Sequence, residues 1–151
     1  VRKKIALLSL VSAFVVALVA VPAANAAYIT VTLGYSVSNI CRTAPDVVTY
    51  KLKFKATVKR SGVPKPEKVR VGYQVLDSTT KKVLRSGVTN LKRKNGYTAK
   101  SSRITATAGQ QLTYHLTGKY TVLGDDTKAK FTYPDFIPSV EQMDAAGFPS
   151  C

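Results

Sequence analysis

Lys51, Lys53, Lys55 and Lys59 recur on one parity of the run YKLKFKATVK, residues 50–59. In an extended chain alternate side chains share a face at about 6.6–6.8 Å spacing. The four ammonium groups then form a row that suits repeating anions on a polymer: teichoic acid, sulfated glycan or a nucleic-acid backbone. Arg103, in SSRITATAG, and the cluster Lys92, Arg93 and Lys94 extend the same polyanion chemistry. Lys128 and Lys130 form a further group. A second explanation of the lysines needs no ligand, since outward cations keep a β-protein soluble and oppose edge-to-edge pairing. Tyr50 and Phe54 fall on the opposite parity from the lysines. The base-stacking platform of a single-strand nucleic-acid binder is therefore missing, and no specific nucleic-acid partner is expected.

Other chemistry is scarce. Ser–His–Asp catalysis would have to use His115, the single histidine. His115 alternates with Tyr114 and Leu116, which makes it a solvent-facing strand residue and not an activated base. Metal sites need several converging His, Cys, Asp or Glu side chains, and Asp125–Asp126 in a GDD sequence reads as a turn former. The eight acids lie mostly in turns and near the C-terminus. No nucleophile elbow, phosphate-binding glycine loop or zinc-protease motif is present. The expectation is a protein that is not an enzyme and uses no metal or cofactor.

The first residues supply the clearest functional signal. VRKKIALLSLVSAFVVALVAVPAANAAY begins with Arg2, Lys3 and Lys4, continues uncharged from Ile5 to Val21, and then reaches Pro22 and Ala24-Asn25-Ala26. Those three parts form a secretory signal peptide over residues 1–26, cleaved after Ala26. A membrane anchor is the competing reading, because about 17 apolar residues marginally span a bilayer. Pro22 and the alanine-rich exit favour cleavage, and no cysteine follows Ala26 to carry a lipid. The leader resembles bacterial ones, and Val1 suits a literally translated GTG start codon. The product is expected outside the cell.

Cleavage leaves 125 of the 151 residues, enough for one domain with its own core. Losing Arg2, Lys3 and Lys4 lowers the net charge from +15 to +12. Every remaining Lys and Arg lies between Arg42 and Lys130. Such a body attracts polyanions at low salt whatever its purpose. Cys41 and Cys151 are the only cysteines; in an oxidising compartment one disulfide between them is the default. Two free thiols, or an intermolecular bridge through Cys151, are the alternatives.

The elements that must position these groups follow a period of two. YITVTLGYSVS sets Ile29, Val31, Leu33, Tyr35 and Val37 against Thr30, Thr32, Ser36 and Ser38. The lysine run is next, followed by KVRVGYQVLD, a weaker KKVLRSGV, SSRITATAG, the long LTYHLTGKYTVL and KAKFTY. Turn signals separate them at SGVPKP, DSTT, KNG, AGQ and GDD. Seven short strands, each with one apolar face, predict a single antiparallel β-sandwich over residues 27–133. Over 28–133 the strand count, the spacing and the run ATAGQQLTYHLTGKY resemble an immunoglobulin-like or fibronectin-III-like domain. The resemblance implies a corner tyrosine at Tyr114. No Trp and no cysteine pair across the sheets accompany it, and it brings no active site.

If seven strands alternate in direction, Cys41 after the first and Cys151 after the last reach the same pole. The tail, residues 134–151, is then pinned by Cys151, in preference to hanging free. Phe136, Ile137, Val140, Met143 and Phe148 would cover an edge or a pole, with a helical turn or two across 139–146. The expected function is a small secreted, non-catalytic binding protein contacting an anionic cell-envelope polymer or an acidic protein. The alternative is a secreted inhibitor or antagonist of an extracellular enzyme, acting through the basic loops SGVPKPEK (61–68) or LKRKNGY (91–97).

Overall fold

The computed structural model describes residues 12–21, as backbone, and residues 27–151 with their side chains. Arg2, Lys3, Lys4, Pro22 and the expected cleavage point at Ala26 lie outside the described residues. In chain order the strands are β1 (Ser12–Val21), β2 (Ala27–Ala44), β3 (Val47–Ser61), β4 (Lys68–Asp77) and β5 (Val83–Lys92). They are followed by β6 (Thr98–Lys100), β7 (Ile104–Thr107), β8 (Gln111–Val122) and β9 (Asp125–Phe136), with one helix, α1 (Val140–Ala146), near the end. A single 3₁₀ turn at Arg93–Asn95 joins β5 to β6.

Two antiparallel sheets form an all-β sandwich. One runs β1-β2-β3, with β6 and β7 both paired to the far side of β3; the other runs β5-β4-β8-β9. The seven expected strands are β2, β3, β4, β5, β7, β8 and β9. Their alternation is the reason they form, because one parity loses its water and the other keeps it. On β3 Tyr50, Leu52, Phe54 and Ala56 are buried while Lys53, Lys55 and Lys59 are exposed. From the facing sheet β4 contributes Val69, Val71, Tyr73 and Val75, and β8 contributes Leu112, Tyr114, Leu116, Tyr120 and Val122.

Three features differ from the sequence expectation. The apolar stretch Ser12–Val21 is extended and pairs with β2, from Ser12 opposite Tyr35 to Val21 opposite Ala27. β5 continues beyond Val88 through Lys92, so Lys92 ends a strand and only Arg93 and Lys94 occupy the following turn. The strand expected in SSRITATAG is confined to β7, and an unexpected short strand, β6, precedes it across a break at 101–103. β6 pairs with Lys53–Lys55, and β7 pairs with Val47–Tyr50.

Side chains bridge that break. The Leu52 N–H donates to Ser101 Oγ at 2.9 Å, and the Ser101 N–H donates to the Leu52 carbonyl at 2.8 Å. Tyr73 reaches across from β4, its hydroxyl accepting the Ser102 N–H at 3.0 Å and lying 2.9 Å from Ser102 Oγ. To get there the Tyr73 ring lies over Gly87 of β5, where an added Cβ would sit 2.6 Å from the phenolic oxygen and 2.8 Å from Cζ.

The tail is docked. Ser139 caps α1 by accepting the Gln142 N–H, and the Gln142 side chain accepts the Ser139 N–H, a reciprocal capping box. Gly147, at φ 68°, ends the helix in the left-handed conformation that glycine tolerates. Ile137 and Met143 are fully buried, with Val140 and Phe148 half-buried against the core. The chain end then lies beside the end of β2: the Arg42 N–H donates to the Pro149 carbonyl, and the Cys151 N–H donates to the Arg42 carbonyl. Arg42 also pairs with Asp144 at 2.7 Å. Cys41 and Cys151 are joined, as expected, across a sequence separation of 110.

Two outcomes follow for stability. Replacing both cysteines, Cys41→Ser with Cys151→Ser, should lower the unfolding free energy in urea by about 2–4 kcal/mol, because the bridge closes most of the folded chain into one loop. Gly87→Ala forces Tyr73 off Ser102 and should cost about 1–3 kcal/mol by overpacking, read as a fall in melting temperature.

Candidate polyanion-binding face

The lysine row lies on the outer surface of the sheet built around β3. Lys53 and Lys55 stand opposite Ser36 and Gly34 of β2, while Lys51 and Lys59 stand opposite Ser38 and Thr30. Lys51 is half-buried; the other three are exposed. Because Gly34 carries no side chain, the surface dips between Thr32 and Ser36. A shallow groove of about 340 Å³ results, lined by Thr32, Gly34 and Ser36 from β2 and by Lys53, Lys55 and Thr57 from β3. Two ammonium groups and several hydroxyls around one depression are the donor set that a phosphate or sulfate oxygen requires.

On the other flank of β3 the break between β6 and β7 contributes two cations. Lys100 stands directly opposite Lys53. Sequence reading missed Lys100: the alternation in YTAK from Tyr97 marks it as outward-facing but does not say which strand it joins. Its ammonium donates to Asn39 Oδ1 at 2.8 Å, crossing the face toward the end of β2. Like charges directly opposed on neighbouring strands repel. Arg103 is exposed and lies one residue before Ile104, which pairs with Tyr50, so it flanks the Lys51 end of the row.

No counter-charge relieves this surface from within its own sheet, because β2, β3, β6 and β7 contain no Asp or Glu. Among the described residues the ion pairs do not involve the row: Arg42 pairs with Asp144, Arg93 with Glu67 at 3.2 Å, and Lys119 with Asp126 at 3.3 Å. Lys92, Arg93 and Lys94 do not join the row. They belong to the end of β5 and its turn, and with Glu67 and Lys68 they line a separate depression. The two candidate inhibitor loops are tied to each other there. Tyr97 donates to the Pro66 carbonyl at 2.6 Å, the Arg93 N–H donates to the Glu67 carbonyl, and Val63 is buried.

The remaining candidates have ordinary structural environments. His115 is exposed, with Nδ1 3.1 Å from Thr132 Oγ1. Thr121 donates to Asp126, and this bond together with Lys119 holds the Asp126 carboxyl below its usual range. Among the described residues no three His, Cys, Asp or Glu side chains converge as a metal site.

Tyr114 differs from a corner tyrosine, whose hydroxyl bonds back to the backbone a few residues upstream. It is the middle of a buried chain that crosses the sandwich. The Tyr50 hydroxyl of β3 lies 2.8 Å from the Tyr114 hydroxyl of β8, and Tyr114 donates to Asp135 Oδ2 of β9 at 2.8 Å. Asp135 Oδ1 accepts the Phe136 N–H. Burial raises the Asp135 pKa above the ordinary carboxylate value, even though both hydrogen bonds act to lower it. Burial likewise raises Tyr50 and Tyr114.

Comparison with protein-family models, curated proteins and solved structures finds no match for this chain.

The raised Asp135 pKa sets a pH dependence. Its contribution to stability is fully present below the unfolded-state value and is lost as pH rises through the folded value. Relative to Asp135→Asn, which keeps an acceptor for Tyr114 without a titrating group, the native protein should gain stability on acidification from pH 7 towards 4. Urea unfolding of both proteins across that range checks the sign.

Proposed function

We propose that the protein is a secreted, non-catalytic binding protein. The outer face of the β2–β3–β6/β7 sheet takes an anionic cell-envelope polymer, with Lys53, Lys55 and Lys100 as the central contacts and Lys51, Lys59 and Arg103 extending the track. One observation carries the reading: cations are concentrated around a groove floored by Gly34, in a sheet that contains no carboxylate of its own. A face whose lysines served solubility alone would gain from interspersed acids, as on β9, where Asp125 and Asp126 accompany Lys128 and Lys130. The leader sequence supports export, and the cationic body supports capture of polymer at the cell surface. Residues 1–26 act in this reading as a signal peptide that does not persist in the working protein.

A charge-matched pair of variants tests the face. Lys53→Glu with Lys55→Glu should weaken binding to immobilised heparin, a sulfated-glycan probe, at least tenfold. Lys128→Glu with Lys130→Glu alters the net charge equally on the other sheet and should change it far less. Retention should also fall steeply with salt, since exposed charges are screened. Equal losses in the two variants would mean that net charge alone, and no face, governs binding.

A further inference from the structure

The outer edges of the two sheets are protected unequally. β5 carries Arg85 and Lys92 and follows Lys81 and Lys82; β9 carries Lys128, Lys130 and Pro134. β6 and β7 are three and four residues long. Charges, proline and shortness are the ordinary devices that keep sheet edges from pairing. β2 has none of them before Arg42. From Ala27 to Cys41 it contains no charged residue and no proline, and its pairing with β3 runs for most of its length. An extended segment already occupies this edge. β1 pairs antiparallel with β2, in register from Ser12 opposite Tyr35, through Phe14, Val16 and Leu18 opposite Leu33, Val31 and Ile29.

We infer that removal of residues 1–26 opens the β2 edge as an acceptor for one extended strand of another protein. The incoming strand is about ten residues long, uncharged and apolar, and runs antiparallel to β2, as β1 does. This rests on cleavage of the leader but not on the polyanion reading, which concerns the sheet face and not its edge. Main-chain hydrogen bonds would supply affinity, and alternate side chains meeting Ile29, Val31 and Leu33 would supply selectivity. A single strand is the occupant because the position is confined. β1 also approaches β9 of the opposite sheet.

The test uses the chain as secreted, with its N-terminus read by intact mass, and a peptide of residues 12–21 bearing a neutral solubilising tail. A mass beginning at Ala27 is expected, together with saturable peptide binding and slowed hydrogen exchange in β2 between Tyr28 and Tyr35. Two N-methylated peptides then separate edge pairing from general stickiness, because only alternate amides of a strand face its neighbour. Methylation at Phe14, Val16 and Leu18, or alternatively at Ala13, Val15 and Ala17, should weaken binding at least tenfold for one set and leave the other nearly unchanged. Equal effects from the two sets, no binding, or a concentration-dependent dimer without peptide would overturn the inference. A secreted mass that retains the leader would overturn it as well, and would do so by removing its premise.

Discussion

The register of β3 is the constraint on which the remaining features depend. Side chains alternate across a strand, so a slip of one residue against β2 would drive Lys51, Lys53, Lys55 and Lys59 into the core and expose Tyr50, Leu52 and Phe54. Burying even one unpaired ammonium costs several kcal/mol, so a register shifted by one residue is far higher in energy. β2, β6 and β7 all take their positions from β3. With β3 held, Gly34 falls opposite Lys55, Lys100 falls opposite Lys53, and Cys41 falls beside Thr49, where the tail returns. The cationic face and the core are two consequences of one alternation.

The two long sides of the sandwich are finished differently. On the side of β5, β6 and β7 the sheets are joined by polar side chains: Tyr73 to Ser102, and Arg85 Nε to the Arg103 carbonyl at 2.9 Å. On the side of β2 and β9 the contact is aromatic. Tyr35 meets Tyr114 edge-on, with ring centroids 5.5 Å apart, and lies 5.5 Å from Tyr133, which stacks on Phe131. Deeper in, Asp135 ends the tyrosine chain on this same side. It is a carboxylate whose burial works against its charge while its hydrogen bonds favour it. The tail closes the pole nearest to it, with the disulfide holding Cys151 against β2.

Most of the sandwich was legible because its information is local. Alternation in YITVTLGYSVS, YKLKFKATVK and LTYHLTGKYTVL marks which residues lose water, and that marking needs no partner strand. The disulfide, the helix over 139–146 and the burial of Ile137 and Met143 followed from parity of strand direction and from the residues of the tail. What stayed hidden depends on who lies opposite whom. Nothing in YTAK alone places Lys100 across from Lys53. The break at Ser101–Arg103 depends on Tyr73 arriving from the other sheet, and the partners of Tyr114 are 64 residues before it and 21 after it. Lys92 looked like part of a loop because LKRKNGY is rich in turn residues, yet pairing with Lys68 carries the strand to that point.

The interruption at Ser101–Arg103 has a consequence for assembly. A sheet that can be joined at both ends grows without limit, one molecule after another. Here the far end is two stubs separated by a serine pair that the opposite sheet holds in place, and it offers no continuous ladder to a newcomer. The other end of this sheet is β1. Pairing of a further strand past β6 and β7 would be interrupted after a few residues, so the β6/β7 end of the sheet resists growth through its brevity and its break, with no charge or proline needed.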